Sequence, residues 1–119
     1  MDKRTGDLCD RFLMFGAQII KLSRKLNLDF IEKHIALQLT RSGTSCGANY
    51  SEGCGAESRK DFIHKLKVVL KELNETMYWL KLIVSAEIQE EKAVGPLVQE
   101  AGELSNVIAR SLITAQGSK

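Results

Sequence analysis

From Phe62 to Val84 an apolar side chain returns every third or fourth residue: Phe62, Leu66, Val69, Leu73, Met77, Leu80 and Val84. That is the period of an α-helix, in which positions i, i+3, i+4 and i+7 share one face. Ile63, Leu70 and Tyr78 widen the stripe. A helix with such a face must bury it against another element, and the same spacing recurs on both sides. Leu8, Phe12, Phe15, Ile19, Leu22 and Leu26 form one stripe, and Leu97, Ala101, Leu104, Ile108 and Leu112 another. No segment alternates apolar and polar residues strictly, as a half-buried strand would. The expectation is an all-α chain of 119 residues, a single up-down-up-down antiparallel four-helix bundle with helices over about 7–26, 30–54, 58–86 and 96–115.

Local signals place the ends. Asp7 or Thr5 can cap the first helix, and Asn27 and Asp29 mark the break after it. Ser58, with Asp61 three residues on, makes a capping-box-like start for the third. Gly53 and Gly55 are expected to stop the second, and Gly95 to mark the connection to the fourth. Pro96 then sits in the first turn of the fourth helix, where a missing amide does no harm. Gly117 to Lys119 read as a frayed tail.

The second helix is the ambiguous one. Ile31, Ile35, Leu39, Cys46 and Tyr50 are apolar, but residues 40–49 are small and polar and include Gly43 and Gly47. Each interior glycine costs about 1 kcal/mol relative to alanine. Two readings compete: a loop near Gly43, or a continuous helix whose small residues let a neighbour approach closely. The helical spacing persists through the stretch and favours the second.

Charge excludes little. Seventeen Lys and Arg against fifteen Asp and Glu leave +2, too balanced to identify a nucleic-acid binder by total charge. No apolar run is long enough to span a bilayer, and residues 1–7 lack the apolar segment of a secretory signal. Three cysteines, Cys9, Cys46 and Cys54, argue against a disulfide framework and for the cytoplasm, with the thiols serving as small apolar groups. His34 and His64 stand alone, and no CxxC or HxxxH pair exists, so neither a metal nor another cofactor is expected. Phosphate-loop, GxGxxG, HExxH and GxSxG motifs are absent, as are paired ExxH motifs, and the expectation is a protein that is not an enzyme and has no small-molecule substrate.

Two stripes stand out. Gln38, Ser42, Ser45, Asn49 and Glu52 share one face of the second helix, flanked by Arg41 and Thr44, and Glu72 and Glu75 lie in register to receive Arg41. This stripe reads as a binding surface or as a satisfied polar seam between helices or subunits, and the second is favoured because hydroxyls and amides pair well across such contacts. Lys60, His64, Lys67 and Lys71 line one face of the third helix, with Arg59 beside them, and Lys21, Arg24 and Lys25 cluster at the end of the first. Such rows can track phosphates or can be a solvated face. No stacking aromatic is interleaved with these lysines, which weakens a single-strand reading. Tyr78 and Trp79 read as a core and interface anchor.

The segment from Gln38 to Glu52, carrying Arg41-Ser42-Gly43-Thr44-Ser45-Cys46-Gly47-Ala48-Asn49-Tyr50, resembles the signature of the bacterial four-helix-bundle family also called 23S rRNA intervening-sequence proteins. Glu57 to Lys67 and Leu70 to Leu80 are similar to the start and middle of that family's third helix. The likeness runs from the first helix through the third and is weak in the fourth. Gly53-Cys54-Gly55 departs from the longer helical segment of many members. The resemblance implies an up-down bundle that assembles as a ring-like homopentamer, with no enzymatic activity attached to the family. Some members are encoded within insertions in the large-subunit ribosomal RNA gene. A distant relative, the accessory protein of diversity-generating retroelements, binds RNA and a reverse transcriptase. Arg41, Ser42, Ser45, Asn49 and Glu52 match the family motif and are expected at intra-bundle or subunit contacts. The resulting expectation is a homo-oligomeric scaffold or RNA-associated module with RNA or an RNA-binding protein as partner. The alternative is a protein–protein adaptor that does not touch nucleic acid.

Overall fold

The three clear stripes and the ambiguous one all fold as helices. The computed structural model describes residues 3–26 and 29–117, with α1 at Lys3–Lys25, α2 at Phe30–Cys54, α3 at Arg59–Ser85 and α4 at Glu91–Gly117. No strand occurs among the described residues. Each helix packs on the next, and α4 closes the ring on α1 through the thinnest of the four contacts. The result is an up-down-up-down four-helix bundle, 50 × 22 × 21 Å, with α1 diagonal from α3.

The core is assembled from the stripes. All six residues of the first stripe, Leu8 through Leu26, are buried, as are Leu66, Val69, Leu73 and Leu80 on α3 and Ala101, Leu104 and Ile108 on α4. Fully burying a leucine, isoleucine or phenylalanine is worth about 1.5–3 kcal/mol, so these stripes carry most of the drive to fold. Ile31, at 63% exposed, and Tyr78, at 58% exposed, do not join the core, and Ile63 is only half-buried outside the core cluster. Ile31 sits in the first turn of α2, and Tyr78 lies on the outward side of α3.

α2 is continuous through Gly43 and Gly47, so the loop reading does not hold. The glycines are where α1 comes closest. A Cβ on Gly43 would lie 2.8 Å from an Ile19 methyl, and one on Gly47 3.0 Å from Phe12 Cβ. The Phe12 and Tyr50 rings then stack, with centroids 5.3 Å apart.

Several ends differ from the sequence expectation. α1 begins at Lys3, so Asp7 lies inside the helix and does not cap it. The side chain of Thr5, and all of Asn27, Ser118 and Lys119, fall outside the described residues. Asp29 caps α2, accepting from the Glu32 amide at 2.8 Å, and Ser58 caps α3, accepting from the Asp61 amide at 3.1 Å. Gly55 is the C-cap of α2 with φ −98°, so this stop does not use a left-handed glycine, and Gly53 is a buried helical residue against Lys65 and Phe62. α4 begins at Glu91, a turn before Pro96, and Gly95 is helical. Val94 explains the extra turn: it is fully buried one turn ahead of Leu97 and Val98 and extends the α4 stripe. Pro96 near the start costs few intrahelical bonds, since only a proline deep in a helix breaks a full ladder.

Just beyond the α3 C-cap, Ala86, comes Glu87, whose φ of 61° places a non-glycine residue in the left-handed region. The Glu87 amide donates to the Val84 carbonyl at 3.0 Å and the Ile88 amide to the Ile83 carbonyl at 2.9 Å. This is the paired hydrogen-bond pattern of a Schellman ending, which satisfies two carbonyls that the helix end leaves open.

Candidate functional site

The polar stripe of α2 faces α3, and its centre is buried. The Ser42 and Thr76 hydroxyls hydrogen-bond at 2.9 Å, both residues fully buried. Thr76 Oγ1 also lies 2.7 Å from the Glu72 carbonyl oxygen. Cys46 Sγ donates to the Ser42 carbonyl at 3.3 Å, and burial pushes its thiol up to about 12, so it stays protonated and unreactive.

Ion pairs flank this centre on either side. Arg41 bonds to Glu72 at 3.3 Å and to Glu75, and its Nε donates to Gln38 Oε1 at 3.3 Å. The Arg41 guanidinium and then the Trp79 indole N–H, 3.1 Å from Oε2, hold the Glu75 carboxyl below the usual carboxylate range. Towards the other end, Lys65 Nζ reaches Glu52 at 2.5 Å and Asn49 Oδ1 at 3.4 Å. Ser45 does not cross: its hydroxyl donates to the Ser42 carbonyl of its own helix at 3.0 Å. Gln38, Arg41, Ser42, Asn49, Glu52 and Glu75 are thus brought together along one α2/α3 contact, with Ser45 beside them. His34 meets Trp79 edge-on with centroids 6.1 Å apart, and both histidines are outside this network.

The basic stripe faces outward. Arg59, Lys60, His64, Lys67 and Lys71 are all exposed. The same side of α3 continues through Asn74, Tyr78 and Lys81, also exposed. Spacings of four, three, four, three, four and three from Lys60 to Lys81 keep these residues on one ridge, about 31 Å long at 1.5 Å per residue. No carboxylate falls on it. Glu72 and Glu75 are turned towards Arg41, and Asp61 lies off the ridge line. Tyr78 was expected in the apolar stripe, but it stands seven residues beyond Lys71 and that interval puts it on the ridge. Its ring meets Trp79 at 73° with centroids 5.1 Å apart. Lys21, Arg24 and Lys25 are exposed at the far end of α2 from Arg59.

A third surface lies on α1 and α2. Leu13 is 75% exposed and lines a groove of about 570 Å³ together with Gly16, Ala17, Ile20, Thr44 and Ala48, and Leu37, further towards the start of α2, is 66% exposed. The small residues that let α1 and α2 approach also leave this face shallow and apolar. On the opposite seam, Arg11 clamps Glu100 in a two-bond fork at 2.7 and 3.1 Å and reaches Glu103 at 3.4 Å. Nothing in the spacing of α1 pointed to that bridge, because it depends on which helix closes the ring.

Among the described residues no three His, Cys, Asp or Glu side chains gather where they could hold a metal ion. Among them, too, no helix is long and apolar enough to cross a membrane.

Comparison with known proteins follows the same lines. The sequence profile of the 23S rRNA-intervening sequence proteins matches residues 7–110. A crystal structure of a protein of unknown function from the S23 ribosomal protein family of Bacteroides thetaiotaomicron superposes with a TM-score of 0.85 at 34% identity, over 91% of this chain and 96% of that one. No curated protein matches.

Proposed function

The chain belongs to the 23S rRNA-intervening sequence protein family, and from that premise we propose that it is a non-enzymatic, homo-oligomeric module that associates with RNA along the outer ridge of α3. The observation that carries this reading is the ridge from Lys60 to Lys81, exposed along its length and free of carboxylates. Cations in such a row release counterions from phosphates and add salt-dependent attraction. Tyr78 offers an aromatic face between Lys71 and Lys81 for an unpaired base, the element a purely basic row lacks.

The apolar α1/α2 face supports the oligomeric part. Leu13, Ala17, Ile20 and Ala48 line a surface of the kind that marks protein contacts. α3 is diagonal from α1, so copies joined through α1 would leave each ridge open. In a ring of five, the arrangement proposed here, the ridges add up to a local field that the +2 of one chain hides. The cytoplasm is the proposed location, since RNA and reduced thiols coexist there.

Filter binding to a structured RNA with unpaired loops, from low to moderate salt, tests the nucleic-acid part. Lys67→Ala and Lys71→Ala are each expected to weaken binding and to lower the log–log salt slope by about one. Undetectable binding at low salt refutes it and leaves the protein–protein adaptor. Sedimentation at micromolar concentration tests the assembly, and a mass near 13.3 kDa refutes it.

A further inference from the structure

Two of the three thiols lie along the α1/α2 contact, one on each helix. The antiparallel register there is set by Gly43 against Ile19, Gly47 against Phe12 and the Phe12–Tyr50 stack. Carried one to two turns further, it brings Cys9 opposite the last turn of α2, where Cys54 is the final residue. Both side chains are half-buried against the core; Cys9 lines the α1/α2 groove together with Gly47 and Ser51, and Cys54 follows Gly47 by seven residues and Ser51 by three, on the same face of α2. Cys46, by contrast, is sealed between Ser42 and Thr76.

We propose that Cys9 and Cys54 are a disulfide-forming pair, a modification site that ties the start of α1 to the end of α2 when the chain meets an oxidised low-molecular-weight thiol. The geometry is permissive on the side that must adjust. A disulfide needs its Cα atoms within about 4.4–6.8 Å. Cys54 ends its helix and Gly55 follows, so the backbone there can move towards α1 without breaking a helix interior. The bond also falls where it would matter, because α1 has the thinnest contact with α4 and depends on α2 to stay docked.

The chemistry is thiol–disulfide exchange. One protein thiolate attacks oxidised glutathione, forms a mixed disulfide and expels one glutathione thiolate. The second protein thiol loses its proton to solvent and displaces the other glutathione. The protein gives up two protons and two electrons, and one glutathione disulfide becomes two thiols. Burial, and then the neighbouring Cys54, push the Cys9 thiol up, so the exchange quickens as pH rises.

The test is to incubate the folded full-length chain with oxidised glutathione and measure intact mass, then map peptides without reduction. The expected product is two hydrogens lighter than the starting chain, retains no glutathione and yields a linked Cys9–Cys54 peptide. Cys9→Ser and Cys54→Ser should each stop at a mixed disulfide, whereas Cys46→Ser should close normally. The oxidised wild type should melt at a higher temperature than the reduced chain, and dithiothreitol should reverse the rise. A wild-type chain that keeps its glutathione, cross-links between copies instead, or links through Cys46 overturns the proposal. Circular dichroism of the serine variants guards against loss of fold, and the wild-type peptide map decides the matter without them.

Discussion

α2 meets its two neighbours by opposite means. Towards α1 it presents hydrogen atoms: Gly43 and Gly47 open a slot that Ile19 and Phe12 fill. Towards α3 it presents hydroxyls and charges: Ser42 pairs with Thr76, Arg41 with Glu72 and Glu75, and Lys65 with Glu52. Close packing is unforgiving of volume, because interiors are as dense as organic crystals and every added methyl must displace something. Polar pairing is unforgiving of chemistry, because a buried donor or acceptor left alone loses its water without a replacement. One helix thus has its register set twice, by shape on one side and by partner identity on the other.

The sharpest attempt to break this contrast is Gly43→Val. Even a Cβ would meet Ile19 below 3.0 Å, and Ile19 is fully buried and has nowhere to go. Overpacking should destabilise the bundle by about 2–3 kcal/mol, outweighing the helix propensity gained, and denaturant unfolding would measure it. A neutral result would mean that α1 does not lie as close as the geometry states.

Next comes the buried hydroxyl pair. Thr76→Val leaves Ser42 with only a 3.4 Å contact to the Leu39 carbonyl, and a loss of about 1–2 kcal/mol is expected. Adding Ser42→Ala should restore most of it, because two matched apolar groups owe each other nothing. Additive losses in that double-mutant cycle would show that the pair is not coupled.

Arg41→Ala probes the exposed end of the same seam. Its side chain is 47% exposed, so solvent screening holds the expected loss to about 1 kcal/mol. The pH dependence separates it from a packing defect. The folded Glu75 carboxyl is depressed, so its contribution is present above the ordinary value of 4.5 and lost as pH falls below it towards the folded value. Melts below pH 4.5 should therefore show wild type losing stability faster than Arg41→Ala, and parallel curves would remove Arg41 as the cause.

The smallest effect has the opposite sign. A Cβ at Gly102, inside α4, meets nothing within 4 Å. Gly102→Ala should raise stability by about 0.5–1 kcal/mol through the unfolded chain's lost freedom, a calorimetric gain that isolates what is special about Gly43.

The difference between these faces also explains what could be read in advance. The α2/α3 seam was legible because Gln38, Ser42, Ser45, Asn49 and Glu52 keep helical intervals that polar residues rarely keep by accident, although the Gln38 and Ser45 side chains bond within α2 rather than across to α3. The close approach at Gly43 was legible as an option and not as a certainty, since propensity and spacing disagreed there. Tyr78 was misplaced because it is aromatic and adjoins Met77 of the apolar stripe, whereas its helical neighbours at four and three residues, Asn74 and Lys81, lie on the exposed ridge. Burial, which periodicity only approximates, assigned it to the ridge. α4 began early because Val94 found a buried site that its own local signals, Gly95 and Pro96, argued against.

Local rules therefore settled the element types, three of the four apolar stripes and the caps at Asp29 and Ser58, since each depends on residues within a few turns of one another. Tertiary structure alone decided which helix closed on α1 through Arg11 and Glu100, and how closely Gly43 and Gly47 approach Ile19 and Phe12. Those outcomes hinge on contacts between residues tens of positions apart, whose energies exist only once the bundle has closed.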